Sequence, residues 1–179
     1  TQEEMLTIIA ERTPKYRPGK RSSYSNSNFL LLGYIIEQIC KKSYAGVLQE
    51  RIVSKIGLTH TYYGYKAAME KDECFPYRFK KDWEQQPQTD LSIPGASGGL
   101  ISTPTDMVLF MEALFSKKIV NESSLNKMKT ITDGHGMGLL EFEFDKKKAL
   151  GYIGGIDEYE SVLAYFPGDS LAIALCSNG

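Results

Sequence analysis

The stretch SSYSNSNFLLLG, residues 22–33, sets a phenol and a carboxamide two residues apart, Tyr24 and Asn26, just ahead of an apolar run. A phenol can move a proton and a carboxamide can hold a carbonyl group, so the pair has parts that serve attack on an acyl carbon. Ser and Asn are also the residue types that cap helices, and taken alone the stretch reads as a helix start. Other chemically able residues are less well placed. Ser124 and Lys127 form a Ser-x-x-Lys pattern in a stretch expected to be a surface helix, and patterns this short arise by chance. His135 lies between two glycines and is expected to be structural, and His60, in Thr-His-Thr, is expected at the surface. Glu141, Glu143 and Asp145 alternate along a strand and read as a solvated face. No His, Cys or acid grouping has metal spacing, so no metal and no cofactor is expected.

The elements that must position Tyr24 and Asn26 follow from periodicity. Residues 3–12 have helical spacing and stop at Thr13-Pro14. A second helix is expected from about Asn26 to Lys42, with Phe29, Leu32, Ile36 and Ile39 inside. Ser43 caps a third, which Gly57 closes. Residues 59–92 are polar and aromatic without a clean period and are expected as a long functional loop. Thr103, Pro104 and Asp106 form a helix start of the capping-box type, and a short helix follows Ser123. Beyond residue 133 the period changes to two. Met137–Phe144, Ala149–Gly155, Tyr159–Phe166 and Leu171–Cys176 read as four antiparallel strands. Helices first and hairpins afterwards make the fold class α+β: a helical lobe over about 1–130 and a sheet over 135–179.

Composition removes several function classes. At 179 residues with 42% hydrophobic content, the chain is long enough for one domain with a core. A net charge of -1, without basic clusters among aromatics, excludes a nucleic-acid footprint. The apolar runs fall short of the roughly 20 residues needed for a membrane span, and the acidic start Thr1-Gln2-Glu3-Glu4 is unlike a secretory leader. Cys40, Cys74 and Cys176 are odd in number and far apart, so free thiols are expected, with Cys176 buried as a small apolar residue.

Four blocks in order, RPGKRSSYSNSNFLLLGYIIEQI, SYAGVLQERIVSKIGLTHTYY, PGASGGLISTPTDMVLFMEALFS and GGIDEYESVLAYFPGDSLAIALCSNG, resemble the serine β-lactamases and penicillin-binding-protein-like hydrolases, in their class C and esterase-like branch. The resemblance covers nearly the whole chain and is weakest over 64–90. It implies a β-lactamase/transpeptidase-like fold and covalent acyl transfer through a serine on an ester, an amide or a cell-wall-type peptide. It further implies that Tyr24 shuttles protons, that Asn26 orients substrate, and that Tyr152 and Gly154 line the far wall. By the same resemblance the N–H of Gly155 is half of an oxyanion hole.

Two departures from the family pattern qualify these expectations. No Ser-x-x-Lys precedes Tyr24, so the chain reads as one partial domain, 1–179, incomplete at both ends, whose further partner is an upstream segment of the same protein. By itself the chain is expected to be inactive. Tyr152 stands where Lys or His is usual, which removes a cation beside Tyr24 and a partner for a substrate carboxylate. Ester cleavage needs no such anchor. The alternative is a binding or scaffold module that keeps the fold without the chemistry. An extracytoplasmic location is implied by the resemblance alone.

Overall fold

The computed structural model describes residues 1–64 and 73–179. Helix α1, Gln2–Ala10, opens on a full capping box between Thr1 and Glu4 and buries none of its residues. Helix α2, Asn26–Cys40, ends at Lys41 in the left-handed conformation. The third expected helix is a composite: α3 (Tyr44–Leu48), one π-helical turn over Gln49–Val53, and α4 (Ser54–Ile56) closed by Gly57 at φ 73°. Helix α5, Pro104–Phe115, and helix α6, Glu122–Met128, follow further on.

The four C-terminal strands form one antiparallel sheet in the order β5 (Leu140–Phe144), β6 (Lys147–Ile156), β7 (Tyr159–Phe166), β8 (Leu171–Ser177). Its first two turns place both central residues at positive φ, Asp145 with Lys146 and Asp157 with Glu158, as two-residue hairpins in a twisted sheet require. Helices α5 and α6 cover one face of this sheet. Met111, Leu114, Leu125 and Leu139 are buried there against Leu163, Tyr165 and Ala172. The reverse face is covered in part: Ala149, Ala164 and Phe166 are buried there, with Phe142 packed against them. Ile153, Val162 and Leu175 form one cross-strand row on it, and all three are exposed.

Three expectations are corrected. Within 59–92 the described residues are not all loop: β1 (Tyr62–Tyr63) pairs with β4 (Leu100–Ile101), and β2 (Tyr77–Phe79) pairs with β3 (Trp83–Gln85). Residues 65–72 of that expected loop lie outside the described residues. Cys176 is exposed rather than buried, because the end of β8 has no strand on its outer side. In α2, Leu32 and Ile39 are exposed, while Leu30 and Gly33 are the buried positions. Helical spacing marks an apolar face but does not say which part of it meets a neighbour. The neighbour here is the 3₁₀ turn Gly95–Ser97. A Cβ on Gly33 would lie 2.5 Å from that of Ala96, and a Cβ on Gly95, at φ 53°, would lie 2.7 Å from Leu30 Cδ1. The two glycines let helix and turn interlock.

Candidate active site

Tyr24 and Asn26 flank Ser25, the extended N-cap of α2 (φ −153°), so the phenol sits outside the helix and the carboxamide on its first turn. The Ser25 side chain makes no cap hydrogen bond. Instead the Tyr24 hydroxyl donates to Asn26 Oδ1 at 2.5 Å. With Oδ1 occupied, the Asn26 amide N–H groups are the part of that side chain suited to grip a carbonyl oxygen.

Tyr152 is brought to this pair by β6. Side chains alternate along a strand, and Tyr152 stands opposite Leu163, which packs against the α5 side, so Tyr152 shares that face. Phe29 of α2 bridges the tyrosines: its ring centroid is 5.7 Å from Tyr24 and 6.2 Å, edge-on, from Tyr152. The Tyr152 phenol is pushed up to about 12, first by burial, then by the charge Tyr24 would carry and by a hydrogen-bonding contact with it. At neutral pH Tyr152 is therefore a neutral hydroxyl, not a substitute for a cation.

Pairing between β5 and β6 ends at Leu140 with Gly151, so Tyr152–Ile156 has no strand beside it on that side. Gly154 and Gly155 are both exposed there. A Cβ on Gly154 would approach Ser161 Oγ to 2.7 Å, so glycine keeps this part of the strand bare.

The rim is held by the segment after residue 72. Asp157 accepts from the Thr89 backbone N–H at 2.5 Å and from its hydroxyl at 2.8 Å. Tyr159 donates to the Cys74 carbonyl at 2.5 Å and accepts from Gln88 Nε2 at 2.8 Å. Arg78 grips Glu158 through Nε and Nη2, so this acid at the rim is paired. These contacts fix the β6–β7 turn and with it the two glycines. Asp106, a buried acid, fastens another junction. Its N–H binds Thr103 Oγ1, but its carboxylate accepts from the His60 N–H and the Thr61 hydroxyl, both at 2.8 Å, so only half of the expected capping box forms.

His135 was not foreseen at the site. It follows a tight turn with Asp133 and Gly134 at positive φ, and it exchanges two backbone hydrogen bonds with Thr132. It lines a cavity of about 130 Å³ together with Tyr24, Phe29 and Tyr152. The Asp-Gly turn was legible in the sequence. The cavity it shares with Tyr24, 111 positions away, was not. Ser124 lies in the first turn of α6, where its N–H binds Asn121 Oδ1, and it does not line this cavity.

The sequence matches the Beta-lactamase family over residues 1–179. Among curated proteins it is 26% identical over 132 residues to the D-alanyl-D-alanine-carboxypeptidase/endopeptidase AmpH of Escherichia coli, covering 73% of this chain and 33% of that protein. Among solved structures, a D-stereospecific amidohydrolase from Streptomyces superposes with a TM-score of 0.90 at 26% identity, over 99% of this chain and 56% of that one. A D-amino acid amidase from Ochrobactrum anthropi superposes at 0.89 with 25% identity and the same coverage. The chain spans about a third of the length of the curated relatives it matches.

Proposed function

The chain belongs to the beta-lactamase family, and from that premise we propose that it is part of a serine hydrolase that works through an acyl-enzyme on an ester, an amide or a cell-wall-type peptide. The observation that carries the reading is the Tyr24–Asn26 hydrogen bond facing Tyr152 at the unpaired half of β6. In this reading a serine of an upstream Ser-x-x-Lys segment attacks the substrate carbonyl. Tyr24, as a phenolate beside the lysine of that segment, takes the serine proton and returns it to the leaving group, Asn26 holds the substrate amide or ester side, and the Gly155 N–H steadies the oxyanion. Water then cleaves the acyl-serine bond. Tyr152 and Gly154 form the wall along which substrate lies.

Two features support an upstream partner segment: the exposed row Ile153, Val162 and Leu175, and the exposed Leu32, Ile35 and Ile39 of α2. An extracytoplasmic location goes with a cell-wall substrate. Among the described residues no helix is long and apolar enough to cross a membrane. The second reading, a scaffold without chemistry, is favoured by one observation: the neutral Tyr152 where the family pattern has a cation.

The test is fluorophosphonate labelling of the full-length protein, read by mass spectrometry. One adduct on a serine upstream of Thr1, lost in Tyr24→Phe, is the expected result. No adduct on any serine leaves the scaffold reading. An adduct on Ser124 of the 179-residue chain alone would refute the placement of the site.

A further inference from the structure

The stretch from Arg12 to Arg21, RTPKYRPGKR, holds five of the chain's 21 Lys and Arg residues and none of its 22 Asp and Glu. It runs straight into Ser22 and Ser23, which line the cavity beside Tyr24. Arg12, Lys15, Arg17, Lys20 and Arg21 are all exposed. Among the described residues, no ion pair or hydrogen bond holds any of these five side chains. Elsewhere, exposed cations such as Lys42, Arg78 and Lys147 sit on carboxylates. Five like charges within ten residues repel one another, and no bonded carboxylate offsets that repulsion.

The loop fixes part of this charge in place. Arg17 and Lys20 are the ends of a β-turn with Pro18 and Gly19 at its centre, Gly19 at φ 75°, closed by a 3.2 Å bond from the Lys20 N–H to the Arg17 carbonyl. Such a turn brings its end residues within about 7 Å, so two cationic residues are neighbours. Tyr16 is half-buried and roots the loop. The cavity beyond has the opposite character: none of its lining residues is Lys, Arg, Asp or Glu, and Tyr152 holds its proton. Positive charge is therefore concentrated outside a neutral cavity. At about 3.6 Å per residue, the steps from Arg17 to Ser22 reach at most about 18 Å, the span of about five residues of an extended peptide.

We propose that the Arg12–Arg21 loop binds the acidic side chains of an extended peptide whose uncharged part enters the cavity, with Arg17 and Lys20 as the main contacts. Guanidinium and ammonium groups pair with carboxylates, the guanidinium in two-pronged fashion. The unpaired half of β6, Tyr152–Ile156, offers backbone N–H and C=O groups to an extended chain. The one aromatic residue of the loop is half-buried, so the loop lacks the exposed rings on which nucleic-acid bases stack. The inference rests on the hydrolase reading above only where the peptide is called a substrate. It then favours peptides with Asp or Glu within about five residues of an uncharged scissile bond, and the binding itself needs no turnover.

The test uses the full-length protein and has two arms. In the first, acetyl-tetraglutamate amide, acetyl-tetraglutamine amide and a tetramer of glycerol phosphate are titrated by calorimetry at neutral pH, in about 0.05 M and about 0.3 M NaCl. We expect tetraglutamate to bind at least about tenfold more tightly than tetraglutamine at the lower salt and to lose most of that preference at the higher. In the double variant Arg17→Gln/Lys20→Gln its binding should weaken about tenfold. Arg17 closes the turn through its carbonyl and Lys20 through its N–H, so this variant keeps the turn. The control Lys118→Gln/Lys127→Gln removes the same charge from exposed positions elsewhere and should bind as the wild type does. In the second arm, kcat/KM for acetyl-Glu-Glu-Ala-Ala-Glu-Glu amide is compared with that for its Gln counterpart, with cleavage read by mass spectrometry. We expect the acidic peptide to be favoured about tenfold, and the ratio to fall to about one in Arg17→Gln/Lys20→Gln. Tetraglutamate binding no tighter than tetraglutamine, or unchanged in that variant, overturns the proposal. Tighter binding of the glycerol phosphate tetramer overturns the assignment to a peptide. Variant-sensitive binding of tetraglutamate with neither hexapeptide cleaved keeps the proposal and counts against the hydrolase reading alone.

Discussion

Tyr24 and Tyr152 face each other across the groove between α2 and β6, joined by the ring of Phe29 and by contact between their hydroxyls. One phenol belongs to a helix start and the other to a strand 128 positions later, so the groove exists only when both lobes are in place. The Tyr24 hydroxyl donates onward to Asn26, which leaves its oxygen open to accept.

For Tyr24→Phe in the full-length protein, we expect kcat to fall by about 10²–10⁴, the range for loss of a proton-transfer group. The ring and its contact with Phe29 remain and the hydroxyl is at an exposed position, so the melting temperature should barely move. Unchanged kcat on a neutral aryl ester would reduce the Tyr24–Asn26 pair to a helix cap.

Tyr152 makes a statement about alkaline stability. Its phenol is raised from the usual 10 to about 12 in the folded chain. Between those values the unfolded chain loses this proton and the folded chain keeps it, so the contribution is complete below about pH 10 and disappears as pH climbs toward 12. The difference in urea midpoint between the wild type and Tyr152→Phe should therefore change steadily from pH 9 to pH 12, to the wild type's disadvantage. A difference constant over that range would contradict the burial of the phenol.

The sheet and its turns were legible because local chemistry decides them: alternating apolar residues, then Asp-Lys and Asp-Glu pairs that accept positive φ. Tyr24 and Asn26 were legible because a residue pattern carries them. Three things were not. The burial of α2 depends on Ala96 meeting Gly33, 63 positions apart, and no periodicity encodes that. The β2–β3 hairpin had a signal, Phe79 and Trp83 flanking a charged turn, with rings 5.3 Å apart, but its strands are only three residues long. His135 reaches the site through a turn bridged to Leu140 at the start of β5, and no local pattern says that this turn shares a cavity with Tyr24 and Phe29.

The Gly33–Ala96 contact yields a stability expectation. Gly33→Val places a branched side chain where even a Cβ would be 2.5 Å from Ala96 Cβ. The helix must lift, at a cost of about 1–3 kcal/mol for overpacking. Because Asn26 begins the same helix, the Tyr24–Asn26 bond should loosen as well. Urea unfolding reports the first effect and kcat of the full-length protein the second. A neutral Gly33→Val would show that α2 does not rest on this turn.

Asp106→Ala should cost about 2–4 kcal/mol, since it removes a charged acceptor and leaves the His60 N–H and the Thr61 hydroxyl without it. Asp106→Asn retains one acceptor oxygen and should lose about half as much. Equal losses in the two variants, read by thermal unfolding, would mean that packing rather than hydrogen bonding sets the effect.

Ile153, Val162 and Leu175 point away from the groove, on the opposite side of a sheet one strand thick. Tyr152 and Ile153 are adjacent in sequence yet turn to opposite sides. The sheet therefore works as a partition. The outer side is where the proposed upstream segment would rest and the inner side carries the groove, so a charge placed at Leu175 would keep the 179-residue chain dispersed and leave Tyr24 and Tyr152 untouched, at the cost of that contact in the full-length protein.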